Sequence, residues 1–215
     1  MCGRFLTPDE SAFERYWHVA PPDGYRQSFN VAPTQLAAIV RRRSDGSREA
    51  ALFTWGFRPA WANRHWINAR AETVFTSAAF KRDAAMHRCL VPAAGWYEWQ
   101  GGATPKVPYV HYRDGFAPIA FAGIWTGTGR AGEPGSTRSF AILTRPAVPS
   151  VAFVHGRMPV VLDPAHYDAW LDPASRRADL EHMLLEPRLE FESRRISTYV
   201  NKPEHDDPAC VAPAA

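Results

Sequence analysis

The sequence predicts an α+β domain with a largely antiparallel sheet, on three observations. Strand-like segments outnumber helical ones, they return by short turns, and 215 residues suit a single domain around one core. No internal repeat and no phosphate- or dinucleotide-binding glycine fingerprint points elsewhere.

Thr7-Pro8-Asp9-Glu10 reads as a capping box with Pro8 at the first helical position, which predicts a helix over 8–18. Leu36–Arg41 and Glu49–Trp55 read as strands joined by a turn around Ser44-Asp45-Gly46-Ser47. Thr76–His87 reads as a second helix. Val107–Arg113 and Phe116–Trp125 flank Asp114-Gly115, a strong signal for a two-residue hairpin. Ser139–Thr144, Pro159–Leu162 and Arg195–Val200 are further predicted strands, and Gly127–Thr137 is predicted as a flexible loop. Asp163-Pro164 and Asp172-Pro173 each pair an N-cap with a proline at the first helical position, predicting two short helices. The domain is expected over 1–203. Past Asn201 the chain turns polar and proline-rich, so 204–215 is expected to fray.

Composition narrows the class. At 46% hydrophobic and 22% charged the chain is ordinary for a soluble folded protein. No apolar run approaches the roughly 20 residues needed to cross a bilayer. The opening Met1-Cys2-Gly3-Arg4-Phe5 lacks the apolar stretch of a secretion signal, so a cytoplasmic protein is expected, with a monomer the simplest state. The formal charge is +3, and all but three of the 25 basic residues are arginine, whose planar fork suits phosphate. That charge permits a nucleic-acid partner without requiring one. Cys2, Cys89 and Cys210 are odd in number and far apart, and the histidines are scattered. Neither a disulfide framework nor a metal site is expected, and no cofactor.

Cys2 is the most informative position. Initiator methionine is normally removed before a small second residue, leaving a free α-amine beside the thiol. Both groups titrate near neutrality, the amine around 7.7–8.0 and the thiol around 8.5. A 1,2-aminothiol meeting an aldehyde forms an imine, and the thiol then closes a five-membered thiazolidine. The same thiol is also a candidate nucleophile for an N-terminal hydrolase with the amine as base.

Three polar clusters lie in apolar, aromatic surroundings. In Trp66-Ile67-Asn68-Ala69-Arg70-Ala71-Glu72, Asn68 and Arg70 are two apart and share a face of extended chain, where they can hold a sugar or phosphate. In Gly95-Trp96-Tyr97-Glu98-Trp99 the carboxylate among aromatic rings is expected to be desolvated, which raises its pKa. In Val154-His155-Gly156-Arg157-Met158-Pro159, His155 is the natural proton carrier. Trp61 in the glycine- and proline-interrupted segment 55–61 is a candidate for stacking on an unpaired base, and Pro33 in Asn30-Val31-Ala32-Pro33-Thr34 for wedging between bases.

Together MCGRF, NVAPT, WGFRPAW, NARAET, CLVPAAGWYEW, KVPY, FAGIW, FAILT, HGRMPVVL and YVNK resemble, in order, the SRAP family of SOS response-associated peptidases. Members of that family shield abasic sites by DNA–protein crosslinking. The resemblance implies a curved, barrel-like sheet with flanking helices and single-stranded DNA carrying abasic sites as the partner. It implies Cys2 as the crosslinking nucleophile and Asn68 as the residue positioning Cys2 and the sugar. Glu98 and His155 would shuttle protons, and Arg70 would bind a phosphate. Arg4, Asn30, Pro33, Trp61, Thr144 and Arg157 would line the DNA path. The chain departs from the family pattern at Arg145-Pro146-Ala147-Val148 and at Gly156. Two other readings stand beside this one: a thiol peptidase using Cys2 and Glu98, and a noncovalent reader of modified bases.

Overall fold

In chain order β1 (Arg4–Leu6) leads into α1 (Glu10–Trp17), then β2 (Leu36–Arg42), β3 (Arg48–Trp55) and the short β4 (Asn68–Arg70). α2 (Lys81–Met86) precedes β5 (Arg88–Ala93), β6 (Gly95–Gln100), β7 (Val107–Tyr112), β8 (Ile119–Thr128) and β9 (Thr137–Pro146). There follow α3 (Pro149–Ala152), β10 (Arg157–Pro159), β11 (Val161–Leu162), α4 (Tyr167–Leu171), α5 (Arg177–Leu185) and β12 (Glu192–Arg195). The computed structural model describes residues 2–214 except 103, 105, 129–136, 187 and 188.

Among the described residues the strands form a sheet of eight and a sheet of four, the latter ordered β1-β6-β7-β12. In the larger sheet β9 pairs antiparallel with β8 and parallel with β3, so β3, β2, β5, β8 and β9 close into a ring. The expected α+β class and barrel-like, largely antiparallel sheet are thus found. The parallel exceptions are β3–β9 and β4–β9. None of the described helices is long and apolar enough to cross a membrane.

Strand alternation sorts the side chains into two cores. Ile39, Phe53, Cys89, Phe121, Phe140 and Ile142 join Cys2, Phe5 and Trp96 on the face toward the small sheet. Ala38, Val40, Leu90, Ala122 and Leu143 face the other way, against Phe13, Trp17, Trp170 and Leu180 of the helices. Small residues on that outer face let α1, α4 and α5 lie close to the sheet. Gly95 marks the tightest crossing, since a Cβ there would sit 2.6 Å from the His111 carbonyl oxygen.

Several predicted boundaries move, each for a tertiary reason. Asp9, not Thr7, caps α1 by accepting the Ala12 N–H, because Thr7 is bonded to Ser28. The helix predicted over Thr76–His87 is confined to Lys81–Met86. Residues 71–80 turn instead, seating Val74, Phe75 and Phe80 in the core. Asp114-Gly115 does turn the chain, but no hairpin forms: β7 pairs with β6 and β12, whereas β8 pairs with β5, β9 and β11. Asp114, Gly115 and Phe116 all have positive φ, and Phe116 stacks on Tyr112, which swings the chain into the other sheet. Pro159–Leu162 splits between β10 and β11. The strand predicted over Arg195–Val200 is a 3-10 turn from Thr198. Asp163 caps a 3-10 turn as predicted, but Asp172 closes α4, and α5 begins only at Arg177. The predicted loop Gly127–Thr137 meets strand ends at its borders, and its centre lies outside the described residues.

The tail is the largest correction. It does not fray: Pro208–Val211 forms a 3-10 turn, Cys210 is buried, and Pro213 bridges to Ile196. Asp206 accepts from Ser28 Oγ and from the Phe29 and Asn30 N–H groups.

His111 is buried between β6 and β12, its ring 5.1 Å from that of Trp96 and hydrogen-bonded to Ser193 Oγ at 2.8 Å. Burial lowers its pKa from its ordinary 6.5 to about 4. The unfolded chain therefore takes up this proton first, and stability falls as pH drops from 6.5 toward 4. The loss from this one group amounts to about 3 kcal/mol at most. Urea unfolding at the two pH values should show that decline, and His111→Gln should flatten it; an equal decline in the variant would rule His111 out as its source.

Candidate functional site

The site assembles where β1 leaves the small sheet. β1 runs antiparallel to β6 with Arg4 opposite Tyr97 and Phe5 opposite Trp96. Continuing that register past the strand end brings Gly3 level with Glu98 and Cys2 level with Trp99. Phe5 anchors the strand, its ring edge-on to Trp55 at 5.1 Å and to Phe121 at 5.9 Å. Its backbone also exchanges two hydrogen bonds with Val31. Cys2 is thereby buried at the end of a short, well-held strand.

Asn68 opens β4, which lies parallel to β9 with Asn68 level with Ile142. Its Nδ2 donates to the Cys2 carbonyl at 2.8 Å. Its Oδ1 is buried and has no hydrogen-bond partner among the described residues. An acceptor left so inside a protein is costly unless something completes it. Asn68 therefore both holds the Cys2 backbone and offers an acceptor beside it.

Glu98 lies on β6, 4% exposed, flanked in sequence by Tyr97 and Trp99. Burial pushes its carboxyl pKa up, and His155 pulls it part of the way back. The Cys2 thiol is raised well above its ordinary value, by burial first and by the Glu98 charge second. Thiol and carboxyl thus oppose each other's ionisation in one desolvated place. His155 Nδ1 lies 3.0 Å from the Arg157 backbone nitrogen and 3.1 Å from the Arg157 carbonyl oxygen, so the loop 155–157 holds the ring in place.

A second group lies along β4, β9 and β10. Arg157 forks onto Glu72, Nη1 to Oε1 at 2.5 Å and Nη2 to Oε2 at 3.0 Å, and Nη2 also donates to the Thr144 carbonyl at 2.7 Å. That pairing holds the Glu72 pKa below its ordinary value. Arg70 lies level with Thr144 across β4–β9, with its side chain exposed. Glu72 went unassigned in the sequence, although its alternation with Asn68 and Arg70 was a usable signal.

The other residues expected on the DNA path differ widely in burial and in what they touch. Asn30 is 1% exposed, and its Nδ2 donates to the carbonyls of Val200, Lys202 and His205. Arg4 donates to Asn30 Oδ1 and to the Val200 and Asn201 carbonyls, tying the strand beside Cys2 to the 3-10 turn Thr198–Asn201. Thr144 is wholly buried. Pro33 is half-buried in a turn closed by Gln35, whose side chain accepts the Ala32 N–H. Trp61 is 66% exposed on a loop closed by the Phe57–Trp66 bridge, its ring 6.0 Å from Trp66. Arg145, where the chain departs from the family pattern, is buried and donates to the Glu186 carbonyl.

The sequence is similar to that of abasic site processing protein YoaM from Bacillus subtilis, 32% identical over 96% of this chain and 95% of the relative. It is 30% identical to abasic site processing protein YedK from Escherichia coli, over 80% of this chain and 79% of the relative. Among solved structures, a Bacteroides thetaiotaomicron protein superposes over the whole of both chains with a TM-score of 0.85 at 21% identity. A phage-related protein from Bordetella bronchiseptica, 31% identical, gives 0.71 over 91% of this chain and 94% of that one. The family model for SOS response associated peptidase (SRAP) matches residues 1–203, and this chain belongs to that family.

Proposed function

We propose that the protein captures abasic sites in single-stranded DNA covalently, through Cys2 once Met1 has been removed. One observation carries this reading: Asn68 grips the Cys2 carbonyl while a raised-pKa carboxyl, Glu98, lies close enough to influence the same thiol. The names of the relatives, abasic site processing proteins, support the lesion as substrate.

The steps balance as follows. Removal of Met1 leaves a primary amine on Cys2, and its lone pair adds to the C1′ aldehyde of the ring-opened sugar. Glu98, held protonated by burial, gives its proton to the departing hydroxyl, so water leaves and a protonated imine (iminium) forms. The Cys2 sulfur then adds to the imine carbon. The thiol proton passes to the Glu98 carboxylate, and the former imine nitrogen ends as the ring amine. Aldehyde and aminothiol thus become a thiazolidine and one water, with no oxidant and Glu98 restored. Asn68 Oδ1 accepts from the amine or the sugar hydroxyl, and His155 shares the proton traffic. Arg70, exposed at the end of β4, takes a backbone phosphate.

Three measurements test this. Processed protein incubated with a single-stranded oligonucleotide bearing one abasic site should give a band that survives denaturing electrophoresis, and Cys2→Ala should abolish it. Peptide turnover without such a band would favour a thiol peptidase. Binding that survives Cys2→Ala with no stable band would favour a noncovalent reader. Glu98→Gln should slow single-turnover crosslinking by about 10²-fold and remove the decline at the pH where the carboxyl ionises; an unchanged rate would take Glu98 out of the mechanism. Arg70→Ala should weaken DNA binding and lower the log–log salt slope by about one; an identical slope would mean that Arg70 touches no phosphate.

A further inference from the structure

Across the small sheet, Glu98 on β6 is paired with Tyr109 on β7, and Tyr109 with Arg195 on β12. Directly opposed residues put their side chains on the same face. The row therefore leads from the buried carboxyl to an exposed guanidinium over two strand spacings, about 10 Å. Arg195 in turn lines a cleft of about 310 Å³ with Lys106, Val107 and Ser197, so two cations stand at the outer end of the row.

Phe153 stands over the middle of this row. Its ring meets that of Tyr109 edge-on, with centroids 5.5 Å apart and planes at 90°. Its carbonyl accepts from Gln100 Nε2 at 3.1 Å, and Gln100 lies two residues beyond Glu98, on the same face of β6. Phe153 also precedes His155 by two residues. It is thus braced by Tyr109 and Gln100, yet it remains 53% exposed. An aromatic ring fixed at its edge and open to solvent beside a nucleic-acid site is a platform on which an unpaired base can stack.

Resting on the reading of the protein as a binder of abasic single strands, we propose that this row is a subsite for the nucleotide next to the abasic sugar. Phe153 stacks on its base, Tyr109 holds Phe153 upright, and Arg195 takes the following phosphate.

The test uses the full chain and a fluorescent single strand carrying a tetrahydrofuran residue, which mimics the abasic sugar without an aldehyde, read by anisotropy. Phe153→Ala should weaken binding roughly 10-fold, and Phe153→Trp should keep the wild-type affinity. Arg195→Gln should weaken binding and lower the salt slope by about one. Stripping the bases that flank the tetrahydrofuran should erase the difference between wild type and Phe153→Ala, which a merely structural role for the ring would not do. Equal affinity of wild type and Phe153→Ala for the base-bearing strand overturns the subsite. A loss that Phe153→Trp fails to restore, or one that persists on the stripped strand, overturns it equally. Because this readout needs no aldehyde, it fails separately from the covalent reaction. Crosslinking with an indifferent Phe153 removes only the subsite, whereas base-dependent binding without crosslinking removes only the Cys2 chemistry.

Discussion

Three residues of backbone, Arg4–Leu6, hold Cys2 in place. A chain terminus ordinarily frays, since fixing each residue costs roughly 1–2 kcal/mol of backbone entropy. Here β1 is laddered to β6 on one side and bridged to Val31 on the other, while Phe5 is fully buried against Trp55 and Phe121. Burying that ring contributes about 1.5–3 kcal/mol and each hydrogen bond about 1, enough to offset the ordering of a short segment. Arg4 adds a lock from the far end of the chain, through Asn30 and the carbonyls at 200 and 201. Cys2 is placed because its neighbours cannot move.

The electrostatics follow from where that strand ends. Glu98 and Cys2 share a desolvated place, so each makes the other's charge more expensive, and both are pushed toward the protonated form. Glu72, 26 residues earlier, experiences the opposite. It lies on the rim with the Arg157 fork upon it, and its pKa falls. Two carboxyls of the same chemical type thus diverge, one fitted to hold a proton and the other to hold an arginine. Arg157, anchored in this way and bonded to the Thr144 carbonyl, fixes the start of β10. Its backbone nitrogen and carbonyl oxygen both lie against Nδ1 of His155.

The small sheet connects this centre to the surface. Its face carries the Trp96–His111 contact in the core, then Glu98 with Tyr109, then Gln100 holding Phe153. Exposure increases along that path, from the fully buried Trp96 to Phe153 at 53%.

By itself the sequence determined the class of fold, because alternation of apolar residues and turn chemistry are local. β2, β3 and β9 lie where alternation put them, and Asp163 caps the turn it was expected to cap. It also determined the chemistry available, since a cysteine at position 2 and a glutamate among tryptophans are legible without coordinates. The order of the motifs likewise carried the family. Only the tertiary structure decided what each polar residue is used for. Arg4 and Asn30 carry no sequence signal for their partners, which lie some 170 to 197 residues away, at Val200, Asn201, Lys202 and His205. Asp114-Gly115 has the makings of a hairpin, yet which strand it hands the chain to depends on competing edges elsewhere in the two sheets. The reason is the same in each case. Propensity and pattern act over a few residues, whereas burial and hydrogen-bond completion are settled by whatever the fold brings alongside.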